Sequence, residues 1–243
     1  MKFTDDGIII SAKKHGENSI IIKILSQDHG ICNIFVKNAI NSKSYSKYQV
    51  GNLVFFDLYA KNNNSLAYAK IENLESFSSR YITNINKLNI INLFSLVIAK
   101  NFMDLDPNRD LFSSFLQFLR DLDQDNMNIL SNIIKFELRL LEIFGYGLDL
   151  SCCAANGSSD NLYFISPKSG RAVSRDAGMP YENKLFKLTN YFKNNLTLNN
   201  KILRDDLLQS LDITKYFMIK YNLLDNDKLQ LRAKYLKDFI YSF

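Results

Sequence analysis

Phe136-Glu137-Leu138-Arg139-Leu140-Leu141-Glu142-Ile143-Phe144-Gly145-Tyr146-Gly147-Leu148-Asp149-Leu150-Ser151-Cys152-Cys153 is the stretch on which the fold turns. Its first half ends an apolar helix, because Ile129, Ile133, Phe136, Leu140 and Phe144 recur three or four residues apart on one helical face. Its second half stops that helix. Gly145 and Gly147 stand where a helix C-terminus favours residues that tolerate positive φ, and the ring of Tyr146 between them can fold back on the last turn. Strand-like runs and then helices precede the segment; a small irregular insert and more helices follow it. It is therefore expected to be the centre of a helical domain.

Towards the N-terminus the period falls to two. Short β-branched and aromatic runs at 7–14, 19–26, 31–37, 53–60 and 65–74 are separated by turn residues, among them Asp28-His29-Gly30 and Lys61-Asn62-Asn63-Asn64. Five short strands in about 75 residues are the count of a small barrel of OB or SH3-like type, and periodicity alone leaves that choice open. From about Ser78 the period becomes helical. Helices are expected at 87–103, from an Asp106-Pro107 cap to about Leu122, through the central segment, and at 181–194, 201–224 and 232–243. Residues 163–173 read as a hairpin turning at Ser166-Pro167-Lys168-Ser169-Gly170. The fold class is α+β: a barrel domain at 1–77, then a helical domain at 78–243 with a hairpin insert at about 148–179.

A chain of 243 residues with 47% hydrophobic content can fill ordinary cores. No apolar run reaches the roughly 18 residues needed to span a bilayer, and Met1-Lys2-Phe3-Thr4-Asp5-Asp6 lacks a signal-peptide core, so no membrane partner and a cytoplasmic address are expected. Three cysteines, two of them adjacent, cannot build a disulfide framework and agree with a reducing compartment. The net charge of +5 is unevenly spread: residues 1–80 carry ten Lys or Arg against seven Asp or Glu, 81–145 six against eight, and 146–243 fourteen against ten. Both ends are basic.

The loop Asn38-Ala39-Ile40-Asn41-Ser42-Lys43-Ser44-Tyr45-Ser46-Lys47-Tyr48 interleaves cations with aromatics. Ammonium groups neutralise phosphates while tyrosine faces stack on bases, which is what a single strand needs. The plainer reading is that these tyrosines cap the end of the barrel. On the central helix Lys135, Arg139 and Glu142 form a polar stripe beside an apolar face, either a solvated face with an Arg139–Glu142 pair or the rim of a groove that takes an acidic peptide end. No enzyme chemistry is expected. Asp104, Asp106 and Asp110 suit helix caps better than metal ligands, His15 and His29 fall in turns, and no Gly-x-x-x-x-Gly-Lys loop cradles a nucleotide phosphate. Cys152 and Cys153 lack any signal of activation.

Phe-Glu-Leu-x-Leu-Leu, Gly-Tyr-Gly-Leu-Asp-Leu, the Cys-led loop and Ser166-Pro167-Lys168-Ser169-Gly170-Arg171-Ala172-Val173-Ser174-Arg175 together resemble the bacterial recombination-mediator family RecO. Asp6-Gly7-Ile8-Ile9-Ile10, Gly16-Glu17-Asn18-Ser19 and Asp28-His29-Gly30 carry the resemblance to the N-terminus, so it covers nearly the whole chain. It implies an OB-type barrel that binds single- and double-stranded DNA. The candidate DNA contacts are Lys13, Lys14, Lys23, Lys37, Lys43, Tyr45, Lys47 and Tyr48 on the barrel; Lys168, Arg171 and Arg175 either add to a DNA-facing surface or, as is more common, belong to a solvated hairpin tip. The resemblance also implies a helical domain that takes the acidic, aromatic C-terminal tail of single-stranded DNA-binding protein, at Lys135 first and then Arg139 and Arg120, together with a RecR-type partner. Some relatives hold a four-cysteine zinc site at the Cys152-Cys153 loop. Here Asn156 stands three after Cys153 and 174–178 has no cysteine, so neither zinc nor another cofactor is expected. The implied function is a DNA repair mediator that promotes strand annealing and recombinase loading on coated DNA. The alternative is a non-catalytic protein-interaction module whose basic loops are incidental.

Overall fold

In the computed structural model, which describes residues 1–40, 45–61, 66–194, 196–198 and 204–241, the alternating runs become five strands. They are β1 (Lys2–His15), β2 (Ser19–Ser26), β3 (Gly30–Val36), β4 (Leu53–Tyr59) and β5 (Ala67–Glu75). The first strand starts at Lys2 rather than near Gly7, because its leading half is used as well: Lys2 to Ile8 pairs with β4, and Gly7 to His15 with β2. One strand thus serves two neighbours and closes the sheet, in the order β1-β2-β3-β5-β4 with a parallel seam between β3 and β5. That closure is of OB type and settles the choice that periodicity left open. Inside it lie Ile9, Ile20, Ile22, Ile24, Ile34, Val54, Phe56 and Leu58, the inward residues of four alternating strands. Each large aliphatic or aromatic side chain so buried stabilises the barrel by roughly 1.5–3 kcal/mol. A bulge between Ile9 and Ser11 turns β1 there.

The described chain forms two compact units, one of residues 1–122 with Asn226–Tyr241 and one of residues 123–225. The barrel unit includes α1 (Phe77–Arg80), α2 (Ile85–Asn101) and α3 (Arg109–Arg120), and α2 packs on β1. Ile8 and Ile10, which flank the inward Ile9, are also fully buried. Buried Asn52 fastens the barrel to α1: its amide donates to the carbonyls of Ser46 (3.0 Å) and Lys47 (3.4 Å), and its oxygen accepts from the Ser78 hydroxyl (2.7 Å) and N–H (3.3 Å). The α3 cap differs from expectation. Asn108, not Asp106, accepts from the Leu111 N–H at 2.8 Å. The preceding residues are drawn onto the barrel edge, where Leu105 N–H donates to the Ile31 carbonyl at 3.0 Å and Asp106 lies against Gly30. Gly30 has φ +75°, and a Cβ there would stand 2.4 Å from the Asp106 nitrogen.

The second unit is centred on α4 (Asn126–Ile143), whose first turn is capped by Asp125 accepting from the Asn128 N–H at 3.0 Å. It ends as its sequence requires. Gly145 has φ +78°, its N–H donates to the Glu142 carbonyl at 2.9 Å, and Tyr146 N–H reaches the Leu141 carbonyl at 2.7 Å, a complete Schellman motif. The Tyr146 ring stacks on Tyr221, with centroids 4.0 Å apart, and Gly147 is not at positive φ. A three-stranded sheet follows, β6 (Leu162–Ile165) in the middle, β7 (Ala172–Ser174) and β8 (Phe186–Lys187) at its edges, with α5 (Arg175–Gly178) after β7. The helix expected at 181–194 is absent. A 3₁₀ turn at Met179–Lys184, β8 and the one-turn α6 (Asn190–Lys193) replace it, since Phe186 and Lys187 complete the open edge of β6 and Thr189 then caps α6. α7 (Arg204–Lys220) packs on α4, where Thr214 donates to the fully buried Glu137. α8 (Asn226–Tyr241) packs on α2 in the barrel unit, and its cations Lys228 and Arg232 are buried.

Candidate nucleic-acid interface

Register, more than any loop, organises the outer face of the barrel. Read across the strands, Lys13 pairs with Ile21, Ile21 with Phe35, Phe35 with Tyr68, Tyr68 with Tyr59 and Tyr59 with Lys2. These residues share one row because directly opposed residues in a sheet point to the same side. None of them is buried, and Tyr59 and Tyr68 are 60% and 57% exposed. The row leaves β1 at Lys13 and returns to it at Lys2, the stagger a tilted, closed barrel demands. His15 sits edge-on to Phe35 (5.7 Å), and Phe35 edge-on to Tyr68 (5.8 Å). Exposed aromatic faces and lysines are the kinds of group on which bases can stack and with which phosphates can pair. Phe35, Tyr59 and Tyr68 escaped the sequence reading because strands are rich in aromatics. The available signal was alternation: with Cys32, Ile34 and Val36 inward, Phe35 must face out.

Of the barrel residues picked from sequence, Lys13, Lys14 and Lys37 are exposed. Lys23 is held by Asp104 at 3.3 Å, which also accepts from Asn33 at 2.6 Å. Lys43 lies outside the described residues, as do Asn62 to Asn64. Lys47 donates to the Ile71 carbonyl at 3.1 Å, and Tyr48 is buried in the barrel core, the capping role the loop also allowed. Its ring offers no face to a base. Tyr45 is 40% exposed beside a groove of about 430 Å³ lined by Ala12, Gln49, Ser78, Ile82 and Asn92, a surface without a cation among its described residues.

His29 is a turn residue, stacked on Phe3 (3.7 Å) and hydrogen-bonded to Asp5 (2.9 Å). Burial pushes the Asp5 carboxyl up, but bonds from the Ser26 hydroxyl, His29 and the N–H groups of Asp28 and Asp6 outweigh it and hold it below the usual range. Burial first, then the charges of Asp5 and Asp104, push the Cys32 thiol up to about 12.

In the second unit Lys135, Leu138, Arg139, Glu142, Leu148 and Phe192 are among the residues lining a groove of about 480 Å³. Lys135 is exposed, whereas Arg139 is bound to Glu142 at 2.6 Å. Arg120 belongs to the barrel unit, where its guanidinium holds Glu75, and it does not line this groove. Lys168 is exposed at the hairpin tip, while Arg171 pairs with Asp149 at 3.2 Å. Arg175 lies over the Tyr163 ring at 5.3 Å.

Cys153 is buried, 3.4 Å from the Ser174 hydroxyl, and receives the N–H groups of Ser174 (3.2 Å) and Ala155 (3.4 Å). Burial raises its thiol, and these bonds with one from the Asn156 N–H together bring it down to about 7. Among the described residues no group of three or more His, Cys, Asp or Glu side chains is placed to hold a metal. The loop offers only the two adjacent thiols Cys152 and Cys153, half of the four that a tetrahedral cysteine site needs, so the residues present do not fit the zinc site of some relatives.

No described helix is long and apolar enough to cross a membrane. The family model for the N-terminal part of recombination protein O matches residues 1–77, and that for its C-terminal part residues 82–226. A DNA repair protein RecO of Rickettsia canadensis (strain McKiel) is 34% identical over 237 residues, covering 98% of this chain and 96% of the relative. That of Wolbachia sp. subsp. Drosophila simulans (strain wRi) is 34% identical over 239 residues, covering 97% and 96%. That of Rickettsia rickettsii (strain Iowa) is 31% identical over 243 residues, covering both chains in full. With barrel, helical unit and end-to-end similarity in agreement, the chain belongs to the RecO family of DNA repair proteins.

Proposed function

We propose that this protein is a recombination mediator that works by binding and not by catalysis. In this reading the barrel domain, residues 1–77, holds single- or double-stranded DNA, and the helical remainder docks on the acidic tail of single-stranded DNA-binding protein. A RecR-type protein is the further partner, and the compartment is the cytoplasm, at the nucleoid when DNA is bound. Coated DNA is remodelled by exchange: contacts to DNA and to the coat's tail replace contacts between coat and DNA, which allows annealing and recombinase loading without nucleotide hydrolysis.

The observation that carries the DNA-binding part is the row Lys13–Ile21–Phe35–Tyr68–Tyr59–Lys2. The groove beside Lys135 supports the tail, because an acidic peptide ending in an aromatic needs both a cation and an apolar seat, and Leu138, Leu148 and Phe192 supply the second. The interaction-module reading draws on the loop, where Tyr48 is buried and Lys47 is engaged by a carbonyl. Titration of fluorescent single-stranded DNA at two ionic strengths, with and without an acidic tail peptide, separates the two. Binding that weakens steeply with salt supports the mediator, because released counterions set the slope. Salt-insensitive or absent binding supports the module.

A further inference from the structure

Several cations of the second unit are paired directly with a carboxylate, Arg139 with Glu142 and Arg171 with Asp149 among them; those around Tyr163 are not. Arg175 lies 5.3 Å, Lys193 5.1 Å and Lys187 5.8 Å from the centre of this one ring. They come from four different elements: Tyr163 from β6, Arg175 from the start of α5, Lys187 from β8 and Lys193 from the end of α6. All three cations are exposed, and among the described residues none has a side-chain hydrogen bond or ion pair. Three like charges gathered on one ring repel one another, and the ring's negative face offsets only part of that. An arrangement of this kind is relieved when an anion binds.

A cleft of about 300 Å³ opens beside them, lined by Tyr163, Lys187, Lys193, Asn190, Asp205 and Asp206 among others. Asp206 accepts from the N–H of neutral Asn190 at 3.0 Å and from its amide at 3.2 Å and keeps its charge, so Asp205 and Asp206 together offset two of the three cations and leave one in excess. The cleft has little apolar lining, Leu188 being buried. That argues against the acidic, aromatic peptide suited to the Lys135 groove, and for a polyanion that needs charge without an apolar seat.

We infer that Arg175, Lys187 and Lys193, gathered on Tyr163, form a seat for the phosphodiester backbone of a nucleic acid in the second unit. This inference rests on the DNA-binding reading of the chain and adds a contact distinct from the barrel row. The seat binds phosphates and reads no bases, so it contributes affinity that depends on salt and not on sequence. Tyr163 positions the cations and need not touch the ligand.

The test uses the full chain and fluorescent oligo-dT. The triple substitution Arg175→Gln, Lys187→Gln, Lys193→Gln is expected to reduce the slope of log affinity against log salt by about 2, at roughly 0.7 for each single-strand phosphate that is no longer neutralised. Tyr163→Leu keeps the three charges but releases them, and is expected to weaken binding several-fold with a smaller change of slope. Circular dichroism of each variant confirms folding; should the triple fold poorly, Lys187→Gln with Lys193→Gln serves, with a slope change near about 1.4. A wild-type chain that binds with steep salt dependence, and variants that match it in affinity and slope, would overturn the inference while leaving the DNA-binding reading intact. A wild-type chain without salt-dependent binding overturns that reading, and this seat with it. Variants that bind oligo-dT normally but lose affinity for the acidic tail peptide would show that the seat takes a peptide instead.

Discussion

Substituting Tyr68→Ala tests the outer face of the barrel most directly. Its ring is 57% exposed, pairs in register with Tyr59 and meets Phe35 edge-on at 5.8 Å. Being outward, it contributes little to the core: a cross-strand pair of this kind is worth about 0.2–1 kcal/mol, so the barrel should stay folded. A base stacked on an aromatic side chain is worth about 1–3 kcal/mol. At about 1.4 kcal/mol per factor of ten, loss of one stacked base lowers affinity by roughly 5- to 150-fold. Stacking releases no counterions, so the salt slope of the variant should equal that of wild type. Lys13→Gln in the same row should behave in the opposite way, with a slope smaller by about 0.7 and a milder loss at high salt. Fluorescence anisotropy of labelled oligo-dT at several salt concentrations reads both quantities. Tyr68→Ala binding with wild-type affinity would refute the stacking argument, whatever Lys13→Gln did.

Three further outcomes follow from particular contacts. Lys135→Glu should weaken capture of an acidic tail peptide by about 1–2 kcal/mol, the exchange of one surface attraction for a repulsion. Arg139→Gln should cost less, because Glu142 already takes much of its charge; calorimetric titration of the peptide ranks the two, and the reverse order would exclude this rim. Asn52→Ala strips the partners from two carbonyls and from Ser78, and is expected to lower barrel stability by about 2–4 kcal/mol, read as a fall in urea midpoint at unchanged m. Asp5 has a lowered folded pKa, so its ionised form stabilises the fold fully above its unfolded value near about 3.9 and less as pH falls through the folded value. Asp5→Asn should therefore cost stability at pH 7 and flatten the loss of stability on acidification below about pH 4; equal acid sensitivity in both proteins would remove Asp5 from the account.

Much of the fold is written locally. The runs that became β1 to β5, the apolar faces of α2, α4 and α7, and the Gly145 stop of α4 were all legible, since each follows from side-chain period or from one residue's φ. Where neighbours far along the chain compete, the local reading gave way. Asp106 resembles a cap yet packs on Gly30, so Asn108 caps α3. Residues 181–194 alternate weakly enough to be read as a helix, but the free edge of β6 takes Phe186 and Lys187 as a strand. On the central helix Lys135 and Arg139 could be placed on one stripe by spacing, whereas the pairing of Arg120 with Glu75, 45 residues away, could not be read from spacing.

By itself, then, the sequence determined most of the elements and the family. Only the tertiary structure decided the parallel β3–β5 seam that closes the barrel, the row from Lys13 to Lys2, and the meeting of Arg175, Lys187 and Lys193 on Tyr163. The reason is physical: side-chain period fixes which face a residue occupies, whereas strand register and packing fix which faces, from distant parts of the chain, come to share a surface.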